Sequence, residues 1–306
     1  MATALLRKLL AFPFALLGVS LLIFLVVHAL PGDPARMMAG PEATEAAVND
    51  MRTRMGLQQP LPVQYASFLG AAVGGDFGTS IRSGRPVVRE LADCVPFTLG
   101  LALCAYALAI ALGVPAGLLA GVRQGGWLDG LVMGAAVLGA SVATFWLALL
   151  LMSLFAVQLG WLPLLGAAGW RNYVMPSVVL AALPAALIAR MTRAGTVEVL
   201  RLDYIRTAWA KGLPPRTVYA VHVLRNVLVP VITVVGLNFG SLVGGAVVTE
   251  SVFNWPGLGR LLVDSVRTRD YPVLQAVTLL AVTSVVAVNT AAELVIAAAD
   301  PRLRRR

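Results

Sequence analysis

Six runs of apolar residues organise the chain: Leu9 to Leu30, Phe97 to Val122, Leu131 to Val157, Val174 to Ala189, Val229 to Val248 and Val273 to Ala298. Crossing about 30 Å of hydrocarbon takes roughly 20 residues of α-helix, so these runs predict six transmembrane helices. Pro115 and Pro184 fall inside two of them, where neighbouring helices can satisfy the freed backbone groups. Arg7 and Lys8 precede the first run as they would a signal peptide, but its apolar core is too long, and it reads as a retained anchor.

The polar intervals are uneven. Pro31 to Pro96 is a Pro- and Gly-containing segment of about 65 residues, long enough for a functional loop. Between the fourth and fifth runs lies YIRTAWAKGLPPRTVYAVHVLRN, Tyr204 to Asn226. From Val197 to Lys211 the apolar Val197, Leu200, Tyr204, Ile205, Ala208 and Trp209 recur at helical spacing, and charged residues take the other faces. Gly212 is placed to end that helix, and Pro214 and Pro215 prevent its continuation while opening a second one over Arg216 to Val227. Two structures fit this pattern: a rigid elbow projecting from the membrane face, or a basic amphipathic helix lying on anionic lipid.

Composition turns the runs into a membrane assignment. The chain of 306 residues is 58% hydrophobic and 13% charged, against roughly 25% charged in soluble domains. Its net charge of +9 is a matter of orientation rather than of nucleic acid. With both termini inside, the cytoplasmic segments hold fourteen of the 24 Lys and Arg residues and four acids, and the outer segments hold ten of each. That bias follows the positive-inside rule. Cys94 and Cys104 lie ten residues apart on one predicted helix, about 15 Å of rise, too far to bridge.

Several chemistries are missing. A phosphate-cradling loop ends in Gly-Lys-Ser/Thr, but Lys8 precedes Leu9 and Lys211 precedes Gly212, so this chain has no such loop and any ATP is hydrolysed by another subunit. His28 and His222 are remote from each other and from any Cys, Asp or Glu cluster, which leaves no metal site, no cofactor site and no catalytic residue. Glu293 is the only acid well inside a run, and it lies near the Arg-rich tail. Ion coupling of the kind secondary carriers use has little to work with.

Two small-residue stripes mark helix packing: Gly113, Gly117 and Gly121, and Gly236, Gly240 and Gly244. Asn238, Ser241 and Gly245 run beside the second stripe, either facing a translocation path or satisfying neighbouring helices. The outer stretch FNWPGLGRLLVDSVRTRDYP combines a turn at Trp255-Pro256-Gly257 with a short amphipathic helix.

The stretches DYIRTAWAKGL, HVLRNVLVPVITVVG, LPGDP, PLPVQY, GDFGTS, GWLD, FNWPGLGRLLVDSVRTRDYPV and the terminal DPR together resemble the permease subunit of dipeptide/oligopeptide ABC importers, over nearly the whole chain. The generic loop signature of such importers is kept only at Ala208, Gly212 and Leu224, with Arg206 where the signature has Glu. The resemblance implies an all-α membrane protein of the type I importer class with six transmembrane helices and both termini cytoplasmic. An anchor and extracytoplasmic segment would occupy residues 1–93, and a core with a coupling loop at about 190–228 would occupy 94–303. It implies transport of di- or oligopeptides across a prokaryotic cell membrane, with nickel complexes, glutathione or oligosaccharides as alternative cargoes. The implied partners are a second, homologous permease, two cytoplasmic ATP-binding subunits, an extracytoplasmic solute-binding protein and membrane lipid. Tyr204, Arg206, Thr207, Ala208, Trp209, Lys211 and Gly212 would couple to the ATPase, and Trp255, Gly257, Arg260 and Asp270 would receive the binding protein. An ATP-independent carrier or channel, or a membrane scaffold, would differ by transporting without ATPases or not at all.

Overall fold

The computed structural model describes residues 13–14, 16–25, 28, 34–40, 42–54 and 56–299, and the side chains at 34, 37–38, 54, 229–230, 233–234, 237–245 and 292–299 fall outside that description. Apart from one isolated β-bridge between Thr79 and Pro86, all regular structure among the described residues is helical. The helices are α1 (Leu16–Leu25), α2 (Pro34–Ala39), α3 (Glu45–Arg54), α4 (Leu61–Val73), α5 (Val87–Val122), α6 (Trp127–Ser141) and α7 (Thr144–Leu151), which continues as a π-helix over Met152–Gln158. There follow α8 (Trp170–Leu200), α9 (Asp203–Ala210), the single turn α10 (Pro215–Thr217) with a π-helix over Val218–Val223, α11 (Leu224–Val252), α12 (Leu258–Thr268) and α13 (Tyr271–Ala299).

The helices α5, α8 and residues Tyr271–Ala291 of α13 are each long and apolar enough to cross a bilayer, and α6 with α7 is a fourth if that bent pair counts as one span. Much of the first predicted run lies outside the described residues, as do the side chains of Glu293 and of most of the 236–244 stripe.

Three expectations change in the structure. The third predicted run is broken: α6 and the α7 segment meet at 104° because Val142 and Ala143 adopt extended backbone (ψ 126° and 132°). No proline or glycine marks that corner; β-branched Val142 and Thr144 are the local residues that favour leaving the helix. The 31–96 segment is largely helical rather than loop, since α2, α3, α4 and the first turns of α5 form within it. Pro34 at the start of α2 and Pro62 in the first turn of α4 sit where a helix tolerates them, whereas Pro96 lies inside α5. Finally, Val197 to Leu200 belong to α8, so the amphipathic helix starts only at Asp203.

The chain divides into two compact units, residues 1–98 with 256–286 and residues 99–255 with 287–306. In the first, Val87 and Leu91 of α5, Leu258 of α12 and Val273, Ala276 and Val277 of α13 form a buried cluster. Gly257 has no side chain with which to cap α12, and Thr98 supplies the missing acceptor: its Oγ1 takes the Leu258 N–H at 2.8 Å in a buried setting. In the same unit α1 is tied to α4 by Ser20 and Tyr65 (2.8 Å) and by the Phe24 ring, which meets those of Tyr65 (5.4 Å) and Phe68 (6.2 Å) at a tilt.

In the second unit α8 is the helix against which α5, α6, α7 and α11 pack. A Cβ at Gly113 would lie 2.8 Å from the Ala185 carbonyl oxygen, one at Gly117 would overlap the Ala189 carbonyl oxygen, and one at Gly121 would lie 2.6 Å from Thr196 Cβ. The stripe on α5 is therefore a close backbone crossing with α8, as small residues at this spacing allow. Gly195, on α8 itself, meets Val227 of α11.

Candidate functional site

The elbow after α8 is built by backbone chemistry first. Leu202 is extended (φ −75°, ψ 146°), Asp203 opens α9 with a carboxylate in its first turn, and the helix dipole favours that sign at that end. At the other end Gly212 takes φ +71°, its N–H donates to the Trp209 carbonyl (2.9 Å), and Leu213 N–H donates to that of Ala208 (3.3 Å). That pair of bonds is a Schellman ending, which requires a left-handed residue at position 212. Nothing lies within 4 Å of a Cβ built there, so glycine is present for its dihedral angle and not to make room. Pro215 then starts the return segment in a position where its missing N–H costs nothing.

Packing holds the elbow stiff. Ile205 is 0% and Ala208 6% exposed, and Val218, Val223 and Val227 are buried on the returning segment. Tyr204 is fastened to that segment by Asn226, whose amide donates to the Tyr204 hydroxyl (3.0 Å) and to the His222 carbonyl (2.7 Å). The Trp209 and Tyr219 rings meet edge to face at 5.9 Å. The centre of the apolar face of α9 is thus spent on the chain itself, while the Tyr204 and Trp209 rings stay partly open. What remains outward is Arg206, Thr207, Lys211, Gly212 and Arg216, with Arg206 in an exposed contact with Asp203 (3.4 Å) that adds little stability.

Of the seven elbow residues, Ala208 is buried and the other six are exposed, Tyr204 and Trp209 by about two-fifths (40% and 39%). Asn238, Ser241 and Gly245 lie along α11, and their side chains are outside the described residues. Trp255 is fully buried, with its ring 4.5 Å from that of Tyr173 in a T-shaped pair. Gly257 caps α12, and Asp270 is buried and hydrogen-bonded. Only Arg260, 3.6 Å from Asp264, is partly open. Turn residues flank Trp255 and Asp270, which makes both look like surface positions in the sequence.

One polar junction carries no sequence signal. Arg193 of α8 donates through Nε (2.5 Å) and Nη2 (2.7 Å) to the two carboxylate oxygens of Asp129, which also accepts the Gly125 N–H at 3.0 Å. This fork pins the α5–α6 corner to the helix that feeds the elbow. Breaking a buried pair costs about 3–5 kcal/mol, and the lower end applies because Arg193 keeps 29% of its side-chain surface. Asp129→Asn is expected to lower the thermal unfolding temperature of the detergent-solubilised protein by several degrees. The double replacement Asp129→Leu with Arg193→Leu should recover most of it, since no charge is left stranded.

Comparison with known proteins adds the following. The family described as "Binding-protein-dependent transport system inner membrane component" matches residues 113–305, and its N-terminal companion, "Binding-prot-dependent transport system membrane comp, N-term", matches residues 1–102. The glutathione transport system permease protein GsiC of Pectobacterium atrosepticum is 48% identical over 298 residues, 97% of each chain. GsiC of Escherichia coli strain K12 is 48% identical with the same coverage. Among solved structures, a chain of the inward-facing MetNI methionine ABC transporter (CY5 native crystal form) superposes with a TM-score of 0.58 at 20% identity, covering 69% of this chain and 96% of that one.

Proposed function

The chain belongs to the family of binding-protein-dependent transport system inner membrane components, and from that premise we propose that it forms one half of an import pathway whose motion enters through the α9 elbow. As an ABC importer permease it is the membrane-spanning part and not the catalyst. Two cytoplasmic ATPases would hydrolyse the ATP, a second homologous permease would complete the pathway, and an extracytoplasmic binding protein would deliver cargo. The six-span reading with cytoplasmic termini puts the elbow on the cytoplasmic side and residues 31–96 and 253–272 outside. The anchor and outer segment, 1–93, and the core, 94–303, remain the proposed functional division. Asn238, Ser241 and Gly245 are the proposed lining of the path.

The observation that carries this reading is that α9 buries the centre of its apolar face, Ile205 and Ala208, within its own chain and presents cations around it. A helix meant to lie on lipid keeps its apolar face available; here Ile205 and Ala208 are consumed within the chain. Arg206, Lys211 and Arg216 stand outward on a stiff knob, which suits an acidic-rimmed groove on an ATPase. Movement of the knob has a short route inward. It is joined to α8 by the residues Arg201 and Leu202, and from Pro215 to Val252 the return segment is helical without interruption. ATP-driven closure of the ATPases would draw two such elbows together and rock the attached helices, a hinge motion about the 201–202 joint.

For cargo we favour small peptides carrying two carboxylates, glutathione foremost, because the two relatives compared at 48% identity are named for glutathione transport. Cysteines placed at Arg206 or Lys211 of the assembled transporter are expected to cross-link to the ATPase subunit, with a yield that changes when ATP is bound. Labelling of those cysteines by lipid-borne reagents alone, with no ATPase adduct, would refute the elbow assignment. Glutathione uptake into vesicles, competed by short peptides, tests the cargo; uptake driven by an ion gradient without ATPases would favour the secondary-carrier reading.

A further inference from the structure

Two stretches separated by about 190 residues in the sequence, GDFGTS with its following residues and the α12 region, meet around one cavity of about 360 Å³ within a single unit. Its frame is rigid. Ser80 N–H donates to the Arg85 carbonyl (2.9 Å) and Gly84 N–H to that of Ser80 (3.0 Å), closing a small hairpin at the Thr79–Pro86 bridge. Asp270, 3% exposed, clamps that hairpin: its carboxylate accepts Ser80 Oγ (2.5 Å), Ile81 N–H (3.2 Å) and Arg82 N–H (3.2 Å). Arg269 ends α12 in the left-handed region (φ 54°), a conformation uncommon for such a side chain, and so turns Asp270 toward the hairpin.

The charges around the cavity answer one another except at one place. Arg85 pairs with Asp93 (2.8 Å), Ser83 donates to Glu90 (2.5 Å) and Arg260 lies 3.6 Å from Asp264. Arg82 lines the cavity and is exposed, and its guanidinium makes no ion pair or hydrogen bond with the described residues. A cation whose backbone is held by a buried carboxylate is pre-organised to meet an incoming anion, and a guanidinium suits a carboxylate best. We infer that this cavity is the socket in which the solute-binding protein docks, with Arg82 meeting an acidic side chain of one lobe and Asp270 acting as the positioning residue. The inference rests on the outer placement of residues 31–96 and 253–272 proposed above, and it shifts the docking role from the buried Trp255 and Asp270 to the hairpin that Asp270 clamps.

The test uses the whole transporter, permease pair with ATPases, in lipid nanodiscs, and its purified cognate binding protein loaded with cargo. Arg82→Glu is expected to raise the dissociation constant of docking about tenfold or more. Replacing one acidic surface residue of the binding protein by Arg should restore it. Asp270→Asn should weaken docking as well, but no charge exchange on the binding protein should rescue it, because its effect comes through the hairpin. Wild-type affinity in Arg82→Glu, or a loss that no exchange on the binding protein restores, overturns the socket. A loss seen only in discs containing anionic lipid overturns it too, by assigning the guanidinium to a headgroup. Should Arg82→Glu fail to assemble, Arg82→Gln should weaken docking and Arg82→Lys should keep most of it, and equal affinities in the two would overturn the socket. Failure of the elbow reading would look different: the ATPases would not copurify with the permease.

Discussion

Replacing Gly117 by leucine is expected to leave almost no transporter that survives solubilisation, a larger effect than at any other glycine of α5. The cause is steric and local. The first carbon of any side chain at 117 would overlap the carbonyl oxygen of Ala189 and lie 2.7 Å from Thr192 Cβ. Carbon atoms rest at about 3.5–4.0 Å, so even alanine must push two helix backbones apart by about 1 Å. Neither neighbour can rotate away, since one is backbone and the other is a β-carbon. Overpacking of this kind costs about 1–3 kcal/mol for modest additions, and Leu adds three further carbons. Gly113 and Gly121 confront the same helix, with Ile188 and Thr196 as obstacles, so Ala at either should act in the same direction. The control lies on α6, where a Cβ at Gly130 or Gly134 would touch nothing within 4 Å. Alanine there should be neutral or stabilising by up to about 1 kcal/mol, the helix-propensity gain. Thermal unfolding of the purified protein in detergent decides it: equal temperatures for Gly117→Leu and wild type would show that α5 and α8 do not cross so closely.

What the sequence made legible, and what it hid, follows from the range of each interaction. The elbow could be read because its signals are local: a helical repeat, then Gly212, then Pro214 and Pro215 within a dozen residues. The glycine stripe on α5 could be read for the same reason, since its period alone marks a packing face, although α8 as the partner could not be named. The start of α9 was misplaced by six residues because Val197 and Leu200 share the period of Tyr204 and Ala208, and no residue type announces the turn at Arg201 and Leu202. Asp129 with Arg193, 64 residues apart, and Ser80 with Asp270, 190 apart, have no periodic signature at all. Each is an ordinary polar residue in a polar flank until the fold supplies its partner. The same holds for the helices α2 to α4. Their Pro and Gly content suggests loop, whereas in the structure these residues stand at helix ends.

The elbow lends itself to a test that separates backbone from charge, because Gly212 is surrounded by open space and constrained only by φ +71°. Asn and Asp tolerate the left-handed region far better than other side chains, whereas a β-branched residue is an outlier there. Gly212→Val should therefore unwind the Schellman ending, at a cost of about 1–2 kcal/mol or more. The knob would lose its fixed corner while the protein still inserted in the membrane. Stimulation of ATP hydrolysis by loaded binding protein is expected to fall about tenfold or more, as a loss of that size in a two-state element implies. Gly212→Asn should keep the corner and retain coupling to within about threefold, since its residual strain is a few tenths of that. Gly212→Asp keeps the corner too but sets an anion on the segment that carries Arg206, Lys211 and Arg216. If the ATPase groove is acidic, that variant uncouples as Val does while unfolding at the same temperature as Asn. Normal stimulation in Gly212→Val would remove the stiff corner from the mechanism. Normal stimulation in Gly212→Asp would keep the corner but remove the acidic groove, leaving shape rather than charge as what seats the elbow.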